Sequence, residues 1–579
     1  MSNQNKQTKH TVTLNGFGGM DSAICRRDAT HAADIVNFRI RTDGSLEKRC
    51  GYRHLAELGG TPRAWIVGSP NGTPSGYALV YNNIKKVNLS SGTITTLGKI
   101  GTSTGPACFF FYHGDLYLTD GQELYRYANS TFTPCKGYVP LFGKDWKNNE
   151  VGEIFEPKNI LNQQVRITYK IADPPSGFLC VGEPIESVEA VYHNGILLSE
   201  EEYYIDNQYQ SVNVSTFPAV GDRLTVYLTL QTCLSSHKNI LCQATDGLLF
   251  GDADNHRLFL WGMEDHPSTV FRSVHVSERS LEESRKHYPY SDRIYFPKDF
   301  EFIVGNGQHK LQGAVKQQDR LLFFTEGEVW MSKADASGME EFPTVSVHPA
   351  IGCPTPKGMV LAGNDAVSVG DTTVWHWEKD ANHTGGYRAI SLSEPIDPTI
   401  GSEEFSHLGL FYDFHKNELG LFHPDNGDVR ICHLPSGNWY RFQGVVADRF
   451  FDGKESIGFL RGESLFLFDP TLTEDHEKDG SIRPIQAIYR SGILDFGTEK
   501  RKNLCKLILF GDLDGGTVTL QISPDECAQT DCQLSAKENE PHSILIRRLH
   551  SGRFRHASLT LTAPDSPRQV IHRLELHTR

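Results

Sequence analysis

The 579-residue sequence lacks the features typical of membrane proteins, secreted proteins and zinc proteins. No window approaches the ~20 consecutive apolar residues of a membrane-spanning helix, so no stable membrane insertion is expected. The first residues are polar and do not contain the apolar core of a secretory signal, from which we expect synthesis in the cytoplasm. Among 12 cysteines no Cys-x-x-Cys pair occurs, which leaves a structural zinc site with little support.

Signatures of catalysis are missing as well. The sequence contains no nucleophile elbow, no Walker loop, no HExxH pair and no glycine-rich phosphate loop between a strand and a helix. His376 and Glu378 share one strand face, as metal ligands can, but a chain with 24 histidines is expected to contain such a pair by chance. We therefore predict that the protein is not an enzyme and has no catalytic residue, metal ligand or cofactor. A site assembled from distant inward loops would leave no motif, and that alternative stays open.

The net charge of −14 argues against a surface that wraps nucleic acid, because phosphate binding requires clustered Lys and Arg. The basic residues are nevertheless concentrated towards both ends of the chain. Basic ends on an acidic body suit electrostatic docking between subunits, although solvated strand faces explain the pattern equally well. The candidate inter-subunit docking residues are Arg26, Arg27, Arg39, Arg41, Arg547, Arg548, Arg553 and Arg555.

What the sequence has in abundance is one repeated pattern: a short apolar strand, a turn of Gly, Asp or Asn, and an aromatic-rich strand. Clear examples are residues 109–127, 248–262 and 320–332. Gly, Asn and Asp tolerate the positive φ of tight hairpin turns. Hairpins at intervals of about 40 residues are typical of β-propeller blades. Six such units follow Arg63, and a seventh is complete if the hairpin at 37–53 closes the ring.

Two stretches depart from this pattern. Residues 163–230 contain strictly alternating strands, and six or so further alternating strands follow a polar linker at 473–481. The sequence therefore predicts an all-β fold: a β-propeller of six or seven blades with an inserted small β-module and a C-terminal β-sandwich. One helix is expected, capped by Ser277 or Ser280. The predicted domains are an N-terminal arm with the ring-closing hairpin (1–60), the first blades (61–144), the inserted module (145–235), the remaining blades (236–472) and a jelly-roll-like sandwich (481–579).

The order of these segments resembles a class of structural proteins from phages and prophages of gut Firmicutes. The resemblance is carried by NFRIRTDGSLEKRCGYR at 37–53, GEIFEPKNIL at 152–161, the module with its HNG turn at 193–195, and RSGILDFGTEKRKNLCKLILFGD at 490–512. By architecture the protein is similar to the tail nozzles and packaged-DNA stabilisation proteins that form head-to-tail connectors in short-tailed phages. Many nozzle proteins are longer, so whether this chain gates the channel stays open.

The resemblance implies a structural virion protein of the phage tail, synthesised in the host cytoplasm. Such a protein forms a homo-oligomeric ring, expected to be a hexamer, that contacts the phage portal, adaptor or other tail proteins and presents surfaces to tail fibres. The ring extends the DNA channel, helps to retain the packaged genome and permits ejection, and DNA passes without sequence-specific binding. Because an acidic lumen repels DNA phosphates, turns rich in Asp and Glu are expected to face the channel of the ring.

Two other functions fit the same sequence. The first is a tail-associated receptor-binding or adhesion protein, in which the inserted module or the C-terminal sandwich holds a glycan. Tyr203, Tyr204 and Tyr209 suit stacking on a sugar, although packing on a sheet face explains them equally well. The second is a propeller hydrolase or lyase, which turnover of a polysaccharide would reveal.

Overall fold

A computed structural model describes residues 10–22, 30–69, 74–145, 156–231, 235–251, 256–298, 300–333, 342–401, 405–537, 542–564 and 568–579. These residues form an all-β structure. The helices within it are two α-helices, Ser235–Cys242 and Glu278–Arg285, and four single-turn 3-10 helices, Glu200–Glu202, Thr384–Gly386, Asp397–Thr399 and Phe405–His407. Neither of these two α-helices is long and apolar enough to cross a membrane.

Seven groups of four antiparallel strands form the blades of a β-propeller; five are separate sheets, and the last two are parts of larger sheets. Blade 1 consists of Ala64–Gly68, Ser75–Val80, Asn83–Asn88 and Ile94–Lys99. Blade 2 consists of Cys108–Tyr112, Asp115–Thr119, Leu124–Ala128 and Thr131–Pro134. Blade 3 consists of Asp246–Phe250, Arg257–Trp261, Thr269–Arg272 and Phe302–Ile303. Blade 4 consists of Leu311–Gln317, Arg320–Thr325, Val329–Lys333 and Thr344–His348. Blade 5 consists of Met359–Ala362, Asp365–Val369, Val374–Lys379 and Tyr387–Ser391. Blade 6 consists of Gly409–Asp413, Glu418–Phe422, Asp428–His433 and Asn438–Gln443. Blade 7 consists of Arg449–Asp452, Ile457–Arg461, Ser464–Asp469 and Gly51–Glu57. The predicted β-propeller is confirmed, and it has seven blades.

The ring is closed by strands from both ends of the chain. The first strand of each blade contacts the first strand of the next blade, from blade 1 to blade 7. Between blade 7 and blade 1, the Arg449 guanidinium donates to the carbonyl of Trp65 at 3.3 Å, and the rings of Trp65 and Phe451 lie 5.3 Å apart. The outermost strand of blade 7 is the N-terminal segment Gly51–Glu57, which pairs antiparallel with Ser464–Asp469. Closure of this kind leaves no unpaired strand edge between the first and last blades.

The hairpin expected to close the ring has a different place. Its strands, Phe38–Ile40 and Leu46–Lys48, join the sandwich through Val570–Thr578, and only the chain that follows them reaches blade 7. The physical reason is burial, because the side chains of Phe38 and Leu46 are fully enclosed in the apolar core of the sandwich. The ring-closing strand Gly51–Glu57 therefore begins within the predicted hairpin at 37–53, whose remaining strands belong to the sandwich.

The C-terminal sandwich consists of two sheets on one shared core, and N-terminal strands belong to both. The first sheet has the order Phe38–Ile40, Leu46–Lys48, Val570–Thr578, Leu504–Asp512 and Ser543–Arg548, with His10–Asn15 also paired to Val570–Thr578. The second has the order Ala32–Val36, Ala487–Ser491, Ala557–Ala563, Thr517–Pro524 and Thr530–Ser535. The sandwich is thus completed by four strands from the first 48 residues.

The second sandwich sheet is continuous with blade 6. Ala32–Val36 lies between Asn438–Gln443 of blade 6 and Ala487–Ser491 of the sandwich, so that nine strands form one sheet. Arg441 and Arg490, which flank this strand, both donate to the carboxylate of Asp34, at 2.9 and 3.0 Å and at 2.9 Å. Propeller and sandwich therefore share a backbone hydrogen-bond network.

The stretch predicted to be a polar linker is ordered structure. Glu474–His476 and Ile482–Pro484 form a hairpin that extends blade 7. Only 2% of the Asp475 side chain is exposed. Its buried carboxylate accepts two hydrogen bonds from Arg49, at 2.8 and 2.7 Å. Arg49 also donates to Asn37 Oδ1 at 3.0 Å. Polar composition suggested a linker, whereas the charge of Asp475 is used inside the protein.

The inserted module has two sheets and an apolar core of its own. The larger sheet has the order Leu141–Asp145, Gln164–Lys170, Arg223–Leu230, Ile185–His193 and Ile196–Leu197, and the smaller has the order Phe178–Cys180, Ser211–Val214 and Tyr203–Asp206. The first two strands run parallel, and the other neighbours run antiparallel. At the base of the module, the buried Arg166 donates to the carbonyl of Val139 at 3.1 Å, which fastens the module to the chain that leaves blade 2.

The helix predicted after Ser277 is confirmed as Glu278–Arg285. The Ser277 hydroxyl oxygen accepts a hydrogen bond from the Ser280 amide at 3.1 Å, so Ser277 is the N-cap. Beyond this helix the ring of Tyr288 packs with Val139 and Tyr227 of the module. The helix therefore leads the chain back to the base of the module.

Gly51, the first residue of the ring-closing strand, allows a test of closure by a single methyl group. A Cβ at this position would overlap the carbonyl oxygen of Glu474, a backbone atom that cannot rotate away. We expect Gly51→Ala to destabilise the protein by about 1–3 kcal/mol, the usual cost of overpacking, measured as a lowered midpoint of thermal unfolding. Gly401→Ala is the matched control, because a Cβ there meets no atom within 4 Å. Equal midpoints for the two variants would contradict this account of closure.

Candidate functional site

The arginines predicted to dock neighbouring subunits lie in different settings. Arg26 and Arg27 lie outside the described residues. Arg39 is directed inwards, where its guanidinium bonds the carboxylate of Glu418, which also accepts a hydrogen bond from the Tyr440 hydroxyl. Burial alone would lower the pKa of Arg39, but Tyr440 and Glu418 raise it above its ordinary value. Arg39 therefore stabilises the interior and is not available for docking.

Three other predicted arginines lie on the surface, two of them in one loop. Arg41 is half-exposed, 3.9 Å from the carboxylate of Asp43. Arg553 is exposed in the loop before the last two strands of the sandwich. Arg555, in the same loop, is half-exposed and lies 3.3 Å from the carboxylate of Glu526. The structure does not gather these three residues into one surface with a shared partner.

The remaining two, Arg547 and Arg548, end the strand Ser543–Arg548, here called the edge strand. It pairs on one side with a long strand of the first sandwich sheet, and within the described ranges no strand pairs with its other side. Ile544 and Ile546 point outwards from it and are 61% and 57% exposed. An exposed apolar edge strand is a ready template for pairing with another chain unless charges protect it.

The register of the sheet extends this apolar surface inwards from the edge strand. Ile544 lies opposite Phe510, and Ile546 lies opposite Ile508. The guanidinium carbon of Arg573 lies 3.9 Å from the centroid of the Phe510 ring, in a cation–π contact. The outer face is therefore apolar at the edge strand, and further in it carries Arg573, which lies 3.3 Å from the carboxylate of Glu575 opposite Ile508.

The far end of the inserted module carries a second exposed apolar surface, here called the module tip. Its members belong to the short strand Ile196–Leu197 and to the loop before Arg223–Leu230, and more than half of each residue is exposed. They are Ile196, Leu197, Phe217 and Val220. Apolar side chains that cluster on a surface without contributing to a core mark a contact site more often than single exposed ones do.

A polar cluster joins the two segments of the module tip, the turn before Ile196–Leu197 and the loop that contains Phe217 and Val220. One Asp222 oxygen accepts a hydrogen bond from the Asn194 side chain at 2.8 Å, and the other lies 2.7 Å from His193 Nε2 and 2.7 Å from the Ala219 amide nitrogen. The hydrogen bonds from Asn194, His193 and Ala219 lower the pKa of Asp222 to about 2. These hydrogen bonds therefore hold the module tip in one conformation.

The smaller sheet of the module carries the aromatic residues considered for glycan binding. Phe178, Asn213 and Tyr204 lie side by side across its three strands, and Tyr204 is 59% exposed. Tyr203 points to the other face and packs against the core of the module, so it is not available for stacking. Tyr209 is exposed in the turn that follows. The structure thus separates the three tyrosines into one that packs inwards and two that face solvent.

One opening of the central channel forms a cavity of about 1190 Å³. Strands or loops of all seven blades line it. The charged residues among its lining are Arg63, Lys310, Lys357, Arg449, Arg461, Asp246, Asp425 and Asp448. Five basic groups against three acidic ones make this mouth basic. The acidic channel expected from the sequence is the lumen of a ring of subunits, which is a different passage.

Cations at the channel mouth bind backbone carbonyls in the loops of other blades. Arg63 donates to the carbonyls of Thr104 and Gly105, at 2.7 and 3.1 Å, in the loop that leads to blade 2. Lys357 donates to the carbonyl of Asp448 at 3.1 Å, and burial lowers the pKa of this lysine. These contacts connect blades, so the mouth is explained by the construction of the ring.

The pair considered as metal ligands in the sequence has another role. His376 Nε2 lies 3.2 Å from a carboxylate oxygen of Asp365 on the neighbouring strand of blade 5. Across the described part of the chain, no group of three or more His, Cys, Asp or Glu side chains is placed to hold a metal ion.

Lowering the pH is expected to loosen the module tip. The folded-state pKa of Asp222 is below the ordinary value of 3.8, so its ionised form stabilises the tip above about pH 4, and that contribution is lost as the pH falls towards 2. Asp222→Asn is expected to remove it at all pH values, because an amide cannot accept from all three donors at once. Hydrogen exchange of the amides in 216–222 measures both effects. Asp265→Asn, in an exposed turn, is the control, and unchanged exchange in Asp222→Asn would contradict the assignment.

No family model and no curated protein matches the chain. Solved structures match it at low identity. A chain of a mitotic checkpoint complex is 9% identical, with coverage of 71% of this chain and 92% of that chain and a TM-score of 0.33. The AfRom2 CNH domain is 7% identical, with 72% and 99% covered and a TM-score of 0.35. The extracellular domain of a putative one-component system from B. thetaiotaomicron is 9% identical, with 91% and 80% covered and a TM-score of 0.25. At these TM-scores the similarities carry no argument about function.

Proposed function

We propose that the protein is a structural component of a bacteriophage virion, a subunit of a tail nozzle or head-to-tail connector ring. In this role it extends the DNA channel, helps to retain the packaged genome and permits ejection. It acts without catalysis and without a cofactor. The starting point of the proposal is the order of sequence segments, above all those at 37–53, 152–161 and 490–512, which resembles that of phage structural proteins.

The observation that carries the proposal is the nine-stranded sheet that runs from blade 6 into the sandwich through Ala32–Val36. A propeller joined to another domain by a flexible linker would move independently of it, which is the ordinary expectation for domains. Here backbone hydrogen bonds on both sides of one strand oppose such movement. A subunit of this kind can hold neighbouring proteins at fixed positions, as a channel component that confines packaged DNA has to do.

Ion pairs reinforce the connections between the propeller and the N-terminal strands of the sandwich. Arg49 lies between blade 7 and the start of the chain, and its bidentate pair with Asp475 is fully enclosed. Asp34 accepts hydrogen bonds from Arg441 of blade 6 and Arg490 of the sandwich. Removing one member of the buried Arg49–Asp475 pair would leave the other charge buried, and the partly exposed Asp34 contacts require one relative placement of blade 6 and the sandwich.

Outward-facing surfaces supply the contacts that an assembly requires. The edge strand and the module tip each expose apolar side chains, and every copy of the chain carries both surfaces. The proposed partners are further copies of the chain in a ring, as a hexamer, together with portal, adaptor or other tail proteins and tail fibres. DNA passes through the ring without sequence-specific contacts, in agreement with the acidic net charge.

The experiment is to locate the protein in purified phage particles. We expect a fixed copy number per particle by quantitative mass spectrometry, six for a hexamer, and density on the channel axis in cryo-electron microscopy. Particles made without the protein are expected to package DNA and then lose it, measured as DNase-sensitive genome. Absence of the protein from particles, or a position only at the ends of fibres, would overturn the proposal. Turnover of a polysaccharide would instead indicate the hydrolase or lyase.

A second function, adhesion through a glycan, is favoured by the row of Phe178, Asn213 and Tyr204 on the smaller sheet of the module. Two aromatic rings on either side of an amide can stack on a sugar and hydrogen-bond its hydroxyls. We expect binding on a glycan array that falls at least roughly tenfold in Tyr204→Ala. Tyr81→Ala changes a tyrosine that is 60% exposed on blade 1 and serves as the control. An array without any signal removes this function.

A further inference from the structure

We propose that the module tip of one subunit binds the edge strand of a second copy of the same chain. The two surfaces are defined above by Ile196, Leu197, Phe217 and Val220 and by Ser543–Arg548. The inference deepens the assembly part of the proposed function by naming its interface. It does not require that the assembly belongs to a virion.

The module tip is apolar and acidic. Residues 193–223, which form the tip and the strands beside it, contain five carboxylates and one arginine. Glu200 and Glu201 are exposed in the 3-10 turn that follows the short strand Ile196–Leu197. The Asp222 carboxylate is already used inside the tip, by Asn194 and Ala219. Glu200 and Glu201 therefore follow the apolar strand in a segment whose one cation is Arg223.

The edge strand is apolar and basic. Ile544 and Ile546 lie at its centre, and Arg547 and Arg548 follow them. Lys506 lies opposite Arg548 on the neighbouring strand, which places a third cation at the same end. The chain thus carries two apolar surfaces of opposite charge, and opposite potentials are the arrangement that steers two surfaces together and excludes wrong partners.

Both surfaces also lie at sheet edges. Ile196–Leu197 is the last strand of the larger module sheet, and the edge strand is the last strand of the first sandwich sheet. Unpaired N–H and C=O groups at such edges allow one strand to extend the sheet of another chain. Side-chain packing, charge and backbone pairing consequently favour the same contact.

The contact joins two molecules, because both surfaces are exposed in the same chain. It uses a different surface on each molecule, so it is heterologous and repeats from subunit to subunit. Heterologous contacts generate closed rings when the rotation between subunits closes, and open filaments when it does not. A ring is the form that the proposed function requires.

The test uses the purified full-length chain in sedimentation velocity at increasing protein concentration. One variant changes the tip, by Phe217→Ser with Glu201→Lys, and another changes the edge strand, by Ile544→Thr with Arg548→Glu. Each is expected to weaken self-association by roughly 30-fold or more, the size of a hot-spot loss, and to sediment as a monomer. Raising the salt concentration is expected to weaken assembly of the unchanged chain, because exposed charges contribute to it.

Mixing the two variants gives a result that only a heterologous contact predicts. The tip variant keeps an intact edge strand, and the edge variant keeps an intact tip. Equimolar mixing is therefore expected to give a one-to-one dimer that grows no further. Ile482→Thr, which changes an isoleucine that is 56% exposed on blade 7, is the control and is expected to assemble like the unchanged chain.

Several outcomes would overturn the inference. These are an unchanged chain that stays monomeric at about 0.1 mM, assembly that persists in either variant, or variants that do not combine. Circular dichroism and thermal unfolding verify that each variant is folded, and the single changes Ile196→Ser and Ile546→Thr replace any variant that is not. Failure here removes the interface, whereas absence of the protein from particles removes the virion role.

Discussion

The enclosed ion pair between Arg49 and Asp475 is the interaction on which the arrangement of the molecule depends. Both side chains are 2% exposed, so each charge is buried and depends on its partner. Without Arg49, the nearest cation to Asp475 would be the half-exposed Arg483, 3.6 Å away. The pair fixes the chain at the point where it leaves the sandwich sheet at Leu46–Lys48 and enters blade 7 at Gly51–Glu57. Ring closure, completion of the sandwich and the place of the N-terminal strands all follow from where this short stretch is held.

Much of the fold could be predicted from local patterns. Alternation and Gly, Asn or Asp turns were sufficient for the blades, as at 109–127, and the cap at Ser277 was sufficient for its helix. These features are read within a few residues of one another, and local chemistry decides them. The inserted module could be recognised in the same way, since alternate residues of the strand Arg223–Leu230, from Leu224 to Leu230, are buried in its core.

Pairing between distant strands could not be predicted in this way. Nothing in the sequence near Phe38 distinguishes a partner in blade 7 from one in Val570–Thr578, because both offer an apolar face. The arginines show the same limit: Arg39 and Arg548 have the same side chain, and only the structure places one beside Glu418 and the other on an exposed edge. The polar composition of 473–481 also predicted a linker, whereas Asp475 in this segment forms a buried ion pair with Arg49.

N-terminal strands pair with strands that are synthesised much later, and this order affects how the chain folds during synthesis. Gly51–Glu57 finds its partner Ser464–Asp469 only after about 400 further residues have been synthesised. At about 5–20 residues per second, the first strands wait roughly 20–80 s on the ribosome before their sheets exist. During that time their apolar faces are open to chaperones or to other nascent chains. Pairings of such sequence separation also slow folding, which makes the start of this chain its most vulnerable part during synthesis.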